Sequence, residues 1–263
     1  MIQWKYMESY LHMNAKAWDW ESKHGNIWTE GTDGQAVSEA KMGNPSIRLT
    51  TFKPTPLSWL EPFRGKDILC IGSGGGQQAV LFSAYGCNVT DIDISGRQLE
   101  KDREMAEKFH LDIATEEGDM QDLSRFSDGS FSLVFNPTST CFVADVTRMY
   151  REAYRVLTPG GCLFTSVTNP FTYIFDEAKI PKGKLRVKYT LPYSDLKSLS
   201  PEQREKMEKS HDTFEFSHSM DSLFGGLCRT GFTIEGFYTD ESGNQSLDSF
   251  VGECFFGVKA RKP

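Results

Sequence analysis

Asp67-Ile68-Leu69-Cys70-Ile71-Gly72-Ser73-Gly74-Gly75-Gly76-Gln77 is an apolar run that breaks into glycines. It reads as a short buried strand, a tight turn and the first residue of a helix. About 20 residues past the first glycine, Val89-Thr90-Asp91-Ile92-Asp93-Ile94-Ser95 forms a second strand ending in carboxylates, the spacing of a nucleotide-binding βαβ unit. Glycines let a backbone approach a ligand with no Cβ between them. A carboxylate at the end of the next strand can accept hydrogen bonds from both hydroxyls of a ribose. Turn and acid together point to an adenosine-type ligand.

The alternation continues outward from this unit. Gln77 to Tyr85 is expected to be helical and to stop at Gly86. Ser95 caps a long helix over Gly96 to Phe109, whose outer face is charged. Short strands are expected at Ile113 to Glu116, Ser130 to Phe135 and Cys162 to Thr168, with a helix over Val143 to Arg155 and a turn at Thr158-Pro159-Gly160-Gly161. Strands alternating with helices of this length imply a parallel sheet covered on both faces. Ligands of such sheets bind beyond the carboxyl ends of the strands. Gly72 to Gly76, Asp93, Asp119, Asn136 and Asn169 all fall at those ends.

Residues 1–64 are aromatic-rich and end in prolines. Trp4, Tyr10, Leu11, Trp18 and Trp20 suggest an amphipathic N-terminal helix. Such a helix either packs on the main domain or acts as a lid, whose aromatic face would suit a cationic or flat molecule. Residues 171–220 break the βα rhythm and form an insertion after the fifth strand. Lys182 to Tyr189 alternates basic with other residues, the pattern of a half-exposed strand with a solvated basic face. Ser200-Pro201-Glu202-Gln203 starts a short charged helix through a cap, a proline at the first helical position and a capping-box glutamine. Phe214 to His218 reads as a strand, Asp221 to Thr230 as a helix ended by Gly231, and Phe232 to Tyr238 and Cys254 to Ala260 as the last two strands.

A chain of 263 residues can bury a full core. Its 38% hydrophobic and 25% charged content is that of a soluble globular protein. A net charge of −7 argues against a large nucleic-acid surface, which needs clustered Lys and Arg. The six cysteines (70, 87, 141, 162, 228 and 254) form no C-x-x-C pair and do not cluster with histidine, so neither a metal site nor a disulfide framework is expected. No apolar stretch reaches the roughly 20 residues that span a bilayer. Met1-Ile2-Gln3-Trp4-Lys5-Tyr6 lacks the basic-then-apolar layout of a secretory signal. A cytoplasmic protein with no membrane partner is expected.

The dinucleotide fingerprint G-x-G-x-x-G would place its last glycine at residue 77, which is Gln77; the glycines fall instead as G-x-G-x-G at Gly72, Gly74 and Gly76. That reading also leaves Gly118-Asp119-Met120 without a role. The glycine turn, Asp91-Ile92-Asp93-Ile94-Ser95, Gly118-Asp119-Met120-Gln121-Asp122-Leu123 and Tyr154-Arg155-Val156-Leu157-Thr158-Pro159-Gly160-Gly161, in this order and spacing, resemble the class I S-adenosylmethionine-dependent methyltransferases of the methyltransferase domain 11 type, the small-molecule group. The resemblance covers residues 65–170 and extends more loosely to Phe214 through Phe232 and to the terminal strand. It implies an α/β, Rossmann-like, doubly wound and mostly parallel seven-stranded sheet with helices on both faces. To this it adds an N-terminal helical cap (1–64), a cofactor-binding core (65–170), the insertion (171–220) and a closing segment (221–263), all within one methyltransferase domain.

Roles for individual residues follow from the same resemblance. Gly72, Ser73, Gly74 and Gly76 would pass beneath the methionine and ribose of S-adenosyl-L-methionine. Asp93 would hold the ribose hydroxyls, with Asp91, two residues earlier on the same strand face, its rival. Ile94 would lie against the adenine, Asp119 would accept from the adenine amino group, and Met120 would pack beside the ring. Asn136 would face the methionine end. The product would be S-adenosyl-L-homocysteine, and the acceptor a small molecule. One position departs from the pattern: many members carry an acid two residues before the first glycine, where this chain has Cys70.

The sulfonium makes its methyl group electrophilic, so a base is needed only when the nucleophile carries a proton that must leave. His218 resembles a histidine found near the substrate side of relatives and is the candidate base; a structural or capping role competes with it. His211 is expected to be exposed beside the charged helix. Tyr173, Tyr189 and Tyr193 lie in the insertion, where they could line a substrate pocket. Asn136-Pro137-Thr138-Ser139 lacks the second proline and the aromatic residue of the Asn-Pro-Pro-aromatic motif of amide and base N-methylating relatives, so that assignment is not made. Alternatives to small-molecule methyl transfer are a nicotinamide-dependent oxidoreductase, a noncatalytic cofactor-binding module, and an RNA or protein methyltransferase, the last disfavoured by the acidic balance.

Overall fold

The computed structural model describes residues 2–263; the side chains of residues 2–9, 177 and 181 fall outside the described set, and with them the expectation for Trp4. The N-terminal segment forms α1 (Ile2–His24), α2 (Gly34–Lys41) and the short α3 (Leu57–Leu60). Strands and helices then alternate: β1 (Asp67–Ile71), α4 (Gln78–Tyr85), β2 (Asn88–Asp93), α5 (Gly96–Phe109), β3 (Ile113–Glu117), β4 (Phe131–Asn136), α6 (Val146–Val156) and β5 (Leu157–Thr168). The insertion carries α7 (Asp195–Ser198) and α8 (Pro201–Ser210), and the chain closes with α9 (Gly226–Thr230), β6 (Thr233–Asp240), α10 (Gln245–Val251) and β7 (Phe255–Arg261).

The seven strands form one sheet in the order β3-β2-β1-β4-β5-β7-β6. β1 to β5 pair in parallel, while β7 runs antiparallel between β5 and β6. Both faces are covered because successive side chains of a strand point to opposite sides. Ile68 and Cys70 of β1 pack with Val80, Phe82 and Tyr85 of α4 and with Val37 and Ala40 of α2. Leu69 and Ile71 pack on the other face with Met149, Tyr150 and Ala153 of α6 and Leu227 of α9. Each large apolar side chain so buried, such as Leu69 or Phe82, contributes about 1.5–3 kcal/mol relative to exposure. The sheet is the mixed, mostly parallel, doubly wound one expected. Among the described residues no helix is long and apolar enough to cross a membrane.

Local chemistry sets the boundaries. Ser95 caps α5 by accepting from Gln98 N, and Gly86 ends α4 in the left-handed region (φ 99°). α6 starts three residues later than expected because Asp145 is its cap and accepts from the N–H groups of Thr147 and Arg148. Two expected strands are absent. Lys182 to Tyr189 makes only a single antiparallel bridge, Phe175 to Val187, and its first residue ends a 3-10 turn (Glu177–Lys182). Phe214 to His218 makes only the bridge Ser194 to Phe216. Its backbone donors go to scattered partners in place of one neighbouring strand: Phe214 N–H to Asn14 Oδ1, Glu215 N–H to Asp195 Oδ2, Phe216 N–H to the Cys141 carbonyl and Ser217 N–H to the Tyr193 carbonyl. The helix expected over Asp221 to Thr230 is present, but its first half, Asp221–Gly225, is a π-helical turn.

α1 docks through a buried stripe at helical spacing, Tyr10, Asn14 and Ala17. Asn14 is fully buried and donates to the Phe214 carbonyl (3.0 Å) as well as accepting from its N–H (2.7 Å). The Tyr10 hydroxyl accepts from Gln121 Nε2 and Ala144 N–H. Farther along the helix, Asp19 accepts from Ser95 Oγ (2.7 Å) and Arg97 N–H, and Ser22 donates to Gln98 Oε1 (3.0 Å).

Candidate functional site

One cavity of about 730 Å³ opens at the carboxyl ends of β1, β2, β4 and β5. That volume is within the range of small-molecule sites, and the position is where open α/β sheets bind ligands. Gly72, Ser73, Gly74, Asp93, Ile94 and Met120 all line it. Gly72 has φ 57°, and a Cβ there would stand 2.8 Å from Met120 Cε and 2.9 Å from Ser139 Oγ. A Cβ on Gly74 would lie 2.7 Å from Gln98 Cβ and 3.3 Å from the Gln98 backbone, which cannot retreat because it belongs to α5. The loop therefore presents bare backbone to the cavity. Ser73 Oγ is buried without a hydrogen-bond partner at the cavity wall.

Three aspartates stand behind this loop, each with a different task. Asp93 Oδ2 accepts from Gly74 N–H (3.2 Å) and Oδ1 from Ser95 N–H (2.9 Å), so the acid joins the glycine turn to the start of α5. Burial pushes its carboxyl up to about 6, against the pull of those two N–H donors. Asp102 of α5 accepts from Gly75 N–H (3.2 Å) and Gly76 N–H (2.9 Å). Asp91 is fully buried, with the Ile92 N–H and the Asp102 carboxyl beside its own carboxyl group. Burial, with the charge of Asp102 beside it, raises Asp91 well above the carboxylate range, so it keeps its proton and turns it toward Asp102. Of the two acids at the end of β2, Asp93 alone lines the cavity.

The remaining sequence-derived candidates sit differently. Gly76 is behind the loop, its N–H on Asp102, and a Cβ there would stand 2.8 Å from Met105 Cγ and 3.2 Å from Gly31 Cα. Asp119 is half-buried next to Met120 and accepts from the backbone and side chain of Gln121, outside the cavity lining. Asn136 is fully buried; its Nδ2 donates to the Ile71 carbonyl (3.1 Å) and Ser139 Oγ (2.7 Å), and its Oδ1 accepts from Thr165. It fastens the end of β1 to β4 and β5. His218 does not line the cavity: its Nε2 is 3.1 Å from the Thr140 carbonyl, and burial lowers its pKa. Cys70 is a fully buried strand residue.

Two further walls were foreseen only in part: an aromatic N-terminal lid was one of two expectations for residues 1–64, and Tyr173 one of three tyrosines expected at a pocket. The N-terminal segment contributes Trp18, Trp28 and Phe52 to the cavity. It is held against the glycine loop by Gln77, whose Nε2 donates to the carbonyls of Ile27 and Glu30, both at 2.8 Å, and by Thr32 N–H on the Gly76 carbonyl. The signal for Gln77 was its polar amide in place of a fingerprint glycine. The far end of the cavity is built by Cys141, Phe142, Thr168, Tyr173 and Glu215. Tyr173 donates to Glu215 Oε2 at 2.6 Å. Tyr189 and Tyr193, expected as pocket residues, pack behind Tyr173 without lining the cavity. Glu215 was legible only as the polar residue between inward-facing Phe214 and Phe216.

Comparison with known proteins agrees with this arrangement. The family model described as "Methyltransferase domain" matches residues 69–165. The chain is 39% identical over 245 residues to the uncharacterized methyltransferase YbaJ of Bacillus subtilis (strain 168), covering 93% of this chain and 96% of that protein. Among solved structures, a putative S-adenosylmethionine dependent methyltransferase from Listeria monocytogenes superposes with a TM-score of 0.60 at 17% identity, over 87% of this chain and 96% of that one. The 1,6-didemethyltoxoflavin-N1-methyltransferase of Burkholderia thailandensis, with 1,6-didemethyltoxoflavin and S-adenosylhomocysteine bound, gives 0.59 at 13% identity, over 97% and 90%. The nicotinamide and noncatalytic alternatives find no support beside these relatives. With a methyltransferase relative matched at 39% identity over nearly its whole length and the seven-stranded fold shared with these enzymes, the chain belongs to the class I S-adenosylmethionine-dependent methyltransferases.

Proposed function

We propose that this methyltransferase alkylates a small-molecule acceptor held at the Tyr173 end of the cavity. The observation that carries the proposal is continuity: one crevice runs from Gly72 and Asp93 to Tyr173 and Glu215, with the N-terminal segment as its outer wall. The Burkholderia thailandensis enzyme, which shares the fold, holds a small heterocycle together with S-adenosylhomocysteine, and this supports the reading. We place the protein in the cytoplasm, in keeping with six free cysteines.

In this reading Asp93 accepts from the ribose hydroxyls while keeping the Gly74 turn in register. Gly72 and Gly74 allow the main chain to lie directly under the ligand, and Ser73 offers its spare hydroxyl to the methionine end. Ile94 and Met120 flank the adenine; Asp119, beside Met120 but off the cavity lining, accepts from its amino group only once its carboxylate turns from Gln121. Asn136 keeps the strand ends at fixed separation. The bound cofactor supplies an electrophilic methyl group. The protein's task is to align a nucleophile with that group and keep water out, which Trp18, Trp28 and Phe142 do by closing the crevice.

Isothermal titration calorimetry with S-adenosylhomocysteine tests the first half: binding of micromolar strength or tighter is expected, and Asp93→Asn should weaken it. Transfer of radiolabelled methyl groups to a panel of small metabolites tests the second. Absence of any heat with S-adenosylhomocysteine, or label appearing only on protein or RNA, would overturn the proposal.

A further inference from the structure

Two carboxyl groups, Asp91 of β2 and Asp102 of α5, stand fully buried beside each other behind the glycine loop, off the cavity lining. Acids taken out of water are costly unless hydrogen bonds offset the loss. The Asp102 carboxylate is bonded to the loop itself. Its Oδ1 accepts from Gly76 N–H (2.9 Å) and its Oδ2 from Gly75 N–H (3.2 Å), the latter shared with the Gln98 carbonyl (3.2 Å). Gly74, the preceding residue, lines the cavity. Gly75 and Gly76 also meet the N-terminal segment. The Gly76 carbonyl accepts from Thr32 N–H (2.8 Å), and a Cβ on Gly75 would stand 2.7 Å from the Trp28 carbonyl oxygen. Thr32 and Trp28 both line the cavity. One carboxylate of α5 thus fixes the two residues on which the floor of the crevice and its outer wall both rest.

Asp91 completes the arrangement. Burial raises both carboxyls; Asp91 keeps its proton and donates it to Asp102, which stays ionised toward the two loop N–H groups. Hydrogen bonds from N–H to an ionised carboxylate are roughly twice as strong as neutral ones, so the charge counts as well as the shape. We propose that Asp102 is a positioning residue for S-adenosylmethionine: without touching the ligand it sets the glycine loop and, through it, the N-terminal wall, while Asp91 braces it from behind. The role is the same whichever acceptor is methylated.

The test titrates S-adenosylhomocysteine calorimetrically into the full chain at pH 8.0, well below the melting temperature. Asp102→Asn keeps the shape but removes the charge and turns an NH₂ group toward one of the two loop N–H groups. Affinity should fall at least about fivefold, with the melting temperature changed by no more than a few degrees, since a buried charge is lost along with the acceptor. Hydrogen exchange followed by NMR should quicken at Gly75 and Gly76 and stay slow from Ile68 to Ile71. An acid serving the fold alone would do the reverse, lowering the melting temperature and loosening the sheet at unchanged affinity. Asp91→Asn still offers an N–H to Asp102 and Asp91→Leu does not, so the leucine variant should bind at least about threefold more weakly than the asparagine variant. That comparison decides the matter even where Asp102→Asn fails to fold. Unchanged affinity in Asp102→Asn, exchange that quickens throughout the sheet, or equal affinity of the two Asp91 variants each overturns the proposal. Failure of the wild type to bind S-adenosylhomocysteine would count instead against the cofactor itself.

Discussion

Asp93→Asn separates what the strand-end acid does for the ligand from what it does for the fold. The wild-type carboxyl is raised from 3.8 to about 6 by burial, a difference of about two units. At roughly 1.4 kcal/mol per unit, holding it ionised above pH 6 costs the fold roughly 3 kcal/mol. Asparagine removes that cost. It also replaces one acceptor oxygen with an NH₂ group facing the N–H of either Gly74 or Ser95, a loss of about 1–3 kcal/mol. The two effects offset, so stability at pH 7.5 should change by less than about 2 kcal/mol, a few degrees in melting temperature. Ligand affinity has no such compensation. Loss of a charged acceptor toward the ribose removes about 1.5–3 kcal/mol, a ten- to hundredfold weakening. The pH dependence carries the sign. From about pH 4 to 6 the unfolded chain releases the Asp93 proton while the folded chain retains it, so this residue's contribution to wild-type stability falls across that window and is level above it. Affinity for S-adenosylhomocysteine should rise as the pH passes through about 6, where the folded carboxyl ionises, because the ionised carboxylate is the better acceptor. Thermal denaturation and calorimetry of both proteins between pH 5 and 8 read all of this. A variant that unfolds many degrees early yet binds like the wild type would refute the assignment and make Asp93 a purely structural acid.

Gly74→Ala should lower S-adenosylhomocysteine affinity by roughly five- to a hundredfold, since the new methyl stands 2.7 Å from Gln98 Cβ and the turn must shift by an amount worth about 1–3 kcal/mol; unchanged calorimetric affinity would contradict it. Gln77→Ala severs both amide contacts to the Ile27 and Glu30 carbonyls, so hydrogen exchange over residues 27–33 should quicken while the sheet stays protected. His218→Asn, which suits the left-handed backbone at φ 56°, should keep turnover within about fivefold with an unaltered pH profile; a drop of a hundredfold or more would restore the imidazole as the base.

The core of the fold was readable because its signals are local. Ile68 to Ile71 is apolar throughout, as a strand covered on both faces must be, and Ser95 and Gly86 carry their boundary chemistry in their own side chains or lack of one. The periphery was harder for a physical reason. Phe214 to His218 has strand-like alternation, yet its backbone partners, Asn14, Asp195, Cys141 and Tyr193, come from segments that no pattern in the sequence brings together. The same holds within the site. Asp91 and Asp93 are indistinguishable by spacing, and only the depth of burial sorts a protonated internal acid from one that meets the cavity. Glu215 reaches the crevice because the insertion folds back, a tertiary outcome, whereas His218, the more conspicuous residue, turns its imidazole to the Thr140 carbonyl.

The attachment of α1 has a kinetic corollary. One end of its docked stretch is bolted to the Phe214 backbone, close to Glu215, and the other to Ser95, Arg97 and Gln98, close to Asp93. A straight rod anchored at two chambers cannot uncover one and leave the other sealed. Traffic of nucleoside and acceptor would then share a single gate, and the spent nucleoside would tend to depart together with the alkylated product.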